Sequence, residues 1–301
     1  MIGGTWGWPD ETPCSRKNGK NILIFCGLGF HFAQTGERRA LRFNRGHVYQ
    51  RGLAAFAVAA LLVAVGAGAG AARSGLRDAK PHDGVTVAHT MPIQGIDVSY
   101  WQGDIDWTAA RAAGIRFVFI KATEGGDHID PKFRENWDGA KRAGIARGAY
   151  HFIYWCRPAH EQALWFMLNV PPDPDALPPV LDLEWNSHSK TCPNKVSREA
   201  ALQTIRTMLA ALETHTGKRP IIYTDPKFHR EVLEGEFPNY HFWLRSVAAE
   251  PGEIYGDRSW AFWQFTTTGK VPGVPGKVDR NSFNGTSADW DRVLNWLQAG
   301  N

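Results

Sequence analysis

The chain has 301 residues, 43% of them hydrophobic and 21% charged, which allows one large α/β core or two small ones and excludes a disordered or collagen-like polymer. The net charge of +4 is unevenly placed: residues 1–91 hold 11 Lys and Arg against 5 Asp and Glu, whereas residues 92–301 hold 23 against 25. The larger part is therefore slightly acidic and lacks the basic footprint that a nucleic-acid partner requires.

Residues 1–51 show no clear hydrophobic period and read as an unstructured lead-in, which translation starting near Val48 would largely omit. Gly52 to Ala72 then runs 21 residues without a charge, preceded by Arg38, Arg39, Arg42, Arg45 and Arg51. That is the pattern of an export signal, with Ala67-Gly68-Ala69 or Ala69-Gly70-Ala71 as its small-residue cleavage site. The alternative is an uncleaved inner-membrane anchor, since about 20 apolar residues suffice to cross a bilayer as a helix. Either way the chain is expected to be exported to the periplasm or beyond. Residues 73–91, with Pro81, Asp83 and Gly84, are polar and aperiodic and read as a linker.

From residue 92 to 298, short β-branched or aromatic runs alternate with helical patterns, the signature of repeated βα units. The expected strands are Gly95 to Ser99, Phe117 to Ala122, Gly148 to Tyr154, Pro179 to Trp185, Ile221 to Thr224, His241 to Val247, Trp260 to Phe265 and Lys277 to Asn281. Helices are expected over Trp107 to Ala113, Lys132 to Ala143, Ala159 to Leu168 and Arg198 to Thr214, the last capped by Ser197, with a closing helix over Ala288 to Leu297. The connection after the fifth strand opens with Asp225-Pro226, a cap followed by proline at the first helical position, and beyond it the helical patterns fade. The fold class is therefore α/β, an irregular TIM-like β/α barrel of about five βα units followed by three strands. Cys156 and Cys192 each follow a strand end, so a bridge is geometrically possible and would add roughly 4 kcal/mol by loop closure; two unpaired buried thiols are the alternative.

In a parallel barrel the chemistry lies at the C-terminal strand ends. The expected first strand carries Asp97, the second ends in Lys121-Ala122-Thr123-Glu124, and the third presents Tyr150, Phe152 and Tyr154 on one face with His151 on the other. The fourth reads Val180-Leu181-Asp182-Leu183-Glu184-Trp185, so Asp182 and Glu184 point to one side and the two leucines to the other. Two carboxylates in one partly desolvated space cannot both ionise freely, and one should keep its proton. A protonated acid beside an ionised one is what glycoside cleavage requires. A solvated edge or a salt bridge to Arg or Lys is the structural alternative for such an Asp-x-Glu strand.

Eleven of the 13 tryptophans follow Met91, and Trp101, Trp155, Trp185, Trp243 and Trp263 fall at strand ends or in the loops after them, where they suit the apolar faces of sugar rings; Trp137, Trp165 and Trp290 lie on helices and read as core. Candidate substrate contacts are Tyr150, Phe152, Trp185, Tyr223, Trp243 and Trp263, with Gln264 and Glu124. There is no His-Glu-x-x-His, no zinc-like cysteine spacing, no phosphate loop and no Gly-x-Ser-x-Gly, so no metal or cofactor is expected.

Gly95-Ile96-Asp97-Val98-Ser99 with Trp101-Gln102, Phe117 to Gly125, Gly148-Ala149-Tyr150-His151-Phe152, Leu181-Asp182-Leu183-Glu184, and Trp263-Gln264-Phe265 with Val278-Asp279-Arg280-Asn281 together resemble the family 25 glycoside hydrolases, lysozymes that act as N-acetylmuramidases. The resemblance covers nearly all of residues 92–297. It implies hydrolysis of the β-1,4 bond between N-acetylmuramic acid and N-acetylglucosamine in peptidoglycan, with Glu184 as general acid and Asp182 near the substrate's acetamido group. Asp97 and Asp279 match the other acids lining the site. Either the acetamido oxygen or a carboxylate attacks the sugar carbon; the residues permit both schemes. One departure stands out: the sixth strand reads Trp243-Leu244-Arg245-Ser246-Val247 where the family commonly has Trp-x-Ala-x-Tyr, so Arg245 adds a cation to the site or narrows it. The competing functional class is a catalytically silent peptidoglycan-binding module. A chitinase-like enzyme would need Asp-x-x-Asp-x-Asp-x-Glu, and Pro178-Pro179-Val180-Leu181 stands before Asp182 instead. The expected partner is the glycan strand of peptidoglycan, acted on by a monomer.

Overall fold

The computed structural model describes residues 85–298. The expected lead-in, the apolar run 52–72 and most of the expected linker lie outside the described residues. No helix among the described residues is long and apolar enough to cross a membrane.

Eight strands close a barrel. They are β1 (Gln94–Val98), β2 (Ile115–Glu124), β4 (Ala146–Phe152), β5 (Val180–Leu183), β6 (Ile221–Thr224), β7 (His241–Arg245), β8 (Phe262–Gly269) and β9 (Val278–Phe283). A two-residue β3 (His128–Ile129) hangs antiparallel from the end of β2. Neighbours from β1 through β8 pair in parallel, while β9 runs antiparallel to both β8 and β1 and closes the ring. This is the architecture expected from the alternating runs.

The connections explain the asymmetry. Helices α2 (Trp107–Ala112), α3 (Phe133–Arg142), α4 (Ala159–Asn169) and α5 (Arg198–Thr216) cover the first strands. Caps set their ends: Asp106 accepts from the Ala109 N–H, Ser197 accepts from the Ala200 N–H, and Gly217 closes α5 at φ 70°. Beyond β6 the connections hold only a short helical stretch (Pro226–Phe228 continued by a π-helical turn, His229–Leu233) and a five-residue α6 (Pro251–Tyr255) before α7 (Ser287–Gln298). One expectation is corrected. Thr86–Thr90, read as part of a linker, forms a helical turn, α1, whose Ala88 is buried against Trp263 and Phe265. The segment is aperiodic because one small residue makes the contact, which no hydrophobic pattern reveals.

Two apolar layers hold the barrel. The outward side chains of the strands, Ile96, Val98, Val118, Ile120, Leu181, Leu183, Ile222 and Leu244 among them, meet the helices in one continuous cluster. The inside is filled by aromatic rings: Phe117 lies 5.7 Å from Phe119 and 5.0 Å from Phe262, and Phe119 lies 4.5 Å from Trp243. The glycines of the first and third strand motifs make room for them. A Cβ on Gly95 would stand 2.4 Å from the Phe117 ring, and one on Gly148 would stand 2.9 Å from Phe119. Packing this dense makes the lower barrel a solid base, so polar chemistry is confined to the end where the parallel strands finish.

Candidate active site

At that end, Trp243 and Tyr223 form the floor, with ring centroids 4.5 Å apart. Their polar tips aim upward and fix two amides. The Trp243 indole N–H donates to Asn281 Oδ1 (2.7 Å), and because an indole can only donate, the Asn281 NH2 must face away; it donates to Asp97 (2.8 Å). Tyr223 OH donates to Gln264 Oε1 (2.9 Å), and Gln264 Nε2 donates in turn to Asp97 (2.9 Å) and, at 3.4 Å, to Asp279. The register of β1 against β9 sets Asp97 directly opposite Asp279.

Asp182 and Glu184 project beside this pair. Asp182 is buried on β5, and Glu184 follows one residue past the strand end, its backbone oxygen held by the Trp155 indole N–H (2.7 Å). Asn186 locks the next turn by accepting from Trp155 N and donating to the Ile153 carbonyl, and Cys156 and Cys192 are bridged just behind it, with Cα atoms 5.6 Å apart. The chain after β5 is thus tied at several points. Asp182 Oδ1 is buried and has no hydrogen-bond partner.

Burial is the main force on all these acids, and it favours their neutral forms. It lifts Glu184 to about 7, with the negative charge of Asp225 adding to the effect and Arg245 and Lys121 opposing it. Asp182 rises well above its usual range, first from burial and then from the Glu184 charge. Asp97 is raised to about 6, limited by its hydrogen bonds from Asn281 and Gln264, while Asp279 reaches about 8 through burial and the Asp97 charge. The cluster therefore holds several protons near neutral pH, as sites titrating together do.

This has a consequence for stability. Asp279 lies at 3.8 when unperturbed and at about 8 here, so between those values the native protein keeps a proton that the unfolded chain has released. Stability is then fully present below about pH 4 for this group and declines as pH rises toward 8. Asp97 and Glu184 act in the same direction. Thermal unfolding followed by circular dichroism should show the melting temperature falling across that window, and Asp279→Asn should flatten part of the fall; an unchanged slope in the variant would show that Asp279 is not held neutral.

Other expected contacts are distributed unequally. Tyr150 stands among Asp97, Asp182 and Asp279, whose charges add to burial in raising its hydroxyl, and Phe152 lies half-buried beside Lys121, 5.2 Å from the ammonium. His151 points to the helix side and bonds Thr123 and Gln162. Trp263 is corrected: only 2% exposed, it faces outward, packs on Phe265 and Ala88 and donates to the Ser246 carbonyl (2.7 Å). The parity of β8 puts Phe262 and Gln264 inside instead. Trp185 is half-buried at the rim, engaged by Trp155, Phe228, the Lys195 ammonium and a hydrogen bond to Glu231 (2.7 Å). Glu124 is also corrected, because its carboxylate is occupied by Lys121 and the Tyr154 hydroxyl; burial would raise it, but these bonds together with the Lys121 and His128 charges hold it below its usual range.

Three charged groups belong to the site beyond the expected acids. Asp225, read only as the cap of a turn, does accept from Phe228 N (2.6 Å), yet it is also buried and its charge acts on Glu184. Its place at the C-terminal end of β6 was the available signal. Lys121 lowers Asp182 and Glu184 from the β2 side. Arg245 pairs in register with Gln264, shares the side of β7 on which Trp243 points inward, and lowers Asp97, Glu184, Asp225 and Asp279. The departure at Arg245 thus adds a cation to the acid cluster.

The model of the family described as Glycosyl hydrolases family 25 matches residues 96–274, from within β1 to beyond the end of β8. The chain belongs to glycosyl hydrolase family 25. It is a glycoside hydrolase of this lysozyme family. Among its relatives, Lysozyme M1 of Streptomyces globisporus is 38% identical over 213 residues, covering 67% of this chain and 71% of the relative. N,O-diacetylmuramidase of Arthroderma benhamiae is 31% identical over 201 residues, 64% of this chain and 83% of that protein. A solved family 25 glycosyl hydrolase from Bacillus anthracis superposes with a TM-score of 0.64 at 35% identity, spanning 71% of this chain and 97% of that one. The bacterial lysozyme of Streptomyces coelicolor gives 0.61 at 35% identity, over 70% and 100%.

Proposed function

We propose that this family 25 hydrolase cleaves the β-1,4 bond between N-acetylmuramic acid and N-acetylglucosamine in peptidoglycan, outside the cytoplasm, with export directed by residues 52–72. Glu184 is the general acid. It combines a proton held to about pH 7 with a position at the strand end, where a leaving sugar oxygen can reach it. Asp182 orients the acetamido group of the muramic acid. The observation that carries this reading is the buried, unpartnered Oδ1 of Asp182 beside Glu184. A buried carboxyl oxygen without a donor is costly, and an amide N–H from substrate would satisfy it. That N–H also favours the ionised form of Asp182, so substrate binding moves the shared proton toward Glu184, where the leaving oxygen needs it. Asp97, raised only to about 6 and bonded by Gln264 and Asn281, is the acid of the opposed pair left ionised at neutral pH to support charge developing at the sugar carbon, with Asp279 as its protonated neighbour. The names of the relatives, lysozyme and diacetylmuramidase, agree with this substrate.

Clearing of a purified cell-wall suspension, with mass analysis of the new reducing ends, tests the proposal. Muramic acid ends are expected. Glucosamine ends would move the cleaved bond, and glycan binding without any release would favour the silent binding module.

A further inference from the structure

Just above Asp97 the chain makes a tight turn, Tyr100–Gln102, that leaves Trp101 76% exposed. It is the most exposed of the large apolar side chains among the described residues. A lone exposed apolar residue needs no explanation, but this one is built in. Ser99 Oγ accepts from the Trp101 N–H, Gln102 Oε1 accepts from the Ser99 N–H (2.9 Å), and the buried Asp130 accepts from the Tyr100 N–H (2.9 Å). Gln102 Nε2 reaches the Lys277 carbonyl, which joins the turn to the start of β9, two residues from Asp279. Tyr100 packs on the indole with ring centroids 4.4 Å apart and planes 32° from parallel. One face of Trp101 is thus backed by a second ring, and the backbone beneath it is fixed from three elements.

The position is as telling as the rigidity. Trp101 is four residues from Asp97, so its Cα lies at most about 14 Å from that of the acid, at the same end of the barrel. A chain of sugars leaving the acid cluster would pass within reach. Hexosamine rings present C–H faces and a rim of hydroxyls, and a fixed, amphipathic indole takes such a face with little loss of side-chain entropy. We propose that the Tyr100–Trp101 pair is a distal glycan platform, stacking on a hexosamine ring of the bound strand away from the bond being cleaved. This rests on the reading of the protein as a glycan-strand hydrolase, which it extends by a binding element outside the acid cluster.

The test uses the full chain carrying Glu184→Gln, so that bound glycan is not consumed, and measures binding of peptide-free peptidoglycan strands by calorimetry. Adding Trp101→Ala should weaken binding about tenfold, and Trp101→Tyr should restore most of it. Adding Leu168→Ala, which removes a side chain 69% exposed on α4, should change binding less than twofold. Equal affinity with and without Trp101 overturns the platform while leaving the hydrolase reading intact. Loss of anionic phospholipid vesicle binding by Trp101→Ala, with glycan affinity unchanged, would also overturn it, in favour of a membrane contact. If the Glu184→Gln protein binds no glycan at all, both readings fall.

Discussion

Glu184→Gln is expected to lower turnover on cell walls at least about 10²-fold, the low end for loss of a general acid, while the fold and glycan affinity persist. Glutamine keeps the shape and hydrogen-bonding reach of the side chain but cannot deliver a proton. The substitution also removes a group whose ionised form is costly at this depth, so thermal stability at neutral pH should be equal or higher. Wild-type activity should decline above about pH 7 as Glu184 gives up its proton, and the variant's residual rate should lack that limb. Initial rates across pH, with calorimetric binding as the control for folding, check both points. Near-normal turnover would remove Glu184 from the role and direct attention to Asp279, another acid that burial keeps protonated near pH 7.

Asp182→Asn is expected to be as severe, about 10²-fold or more in turnover. Asparagine is the same size, and its side-chain oxygen could still meet an amide N–H, so a purely steric role would survive the change. What it cannot do is carry a negative charge. If Asp182 ionises as the acetamido group binds and thereby passes the proton to Glu184, the neutral amide breaks that exchange. The decisive comparison is with glycan whose muramic acid has been N-deacetylated. Wild type should fall to near the variant's rate there, and the variant should lose little more, because both changes disable one interaction. A mild effect of Asp182→Asn on ordinary wall would remove support for the acetamido scheme and favour direct attack by a carboxylate.

The two experiments are independent. The first concerns which group gives the proton, and the second concerns what places it there. Arg245 and Lys121 matter to both, since each lowers the acids from one side of the mouth and limits how many protons the cluster holds.

Much of the fold is legible in the sequence. The strand at Ile221–Thr224 falls on its expected residues, because a short apolar run closed by Asp225-Pro226 has no other reading. Asp182 and Glu184 could be set on one face from the two-residue period alone, since Leu181 and Leu183, which alternate with them, had to face the helices. Ser197 and Asp225 announced themselves as caps through their position before a helical start.

What local pattern could not decide was which face of a doubly buried strand looks inward. In β8, Trp263 and Gln264 are adjacent and both buried, and apolar content alone favours the indole for the sugar; closure of the barrel turned Trp263 out onto α1 and Gln264 in toward Asp97. A parallel strand covered on both sides carries no amphipathic signal, so parity is set by its neighbours. The same holds for charge. Glu124 was visible as a strand-end acid, but Tyr154 claims it only because β2 and β4 lie side by side, while Lys121 reaches it from within β2 itself. Asp225 becomes part of the acid cluster only once β5 and β6 pair. Residue types and their spacing determined the barrel and the placing of Asp182 beside Glu184, whereas the protonation of those acids follows from burial and from charges that arrive on other strands.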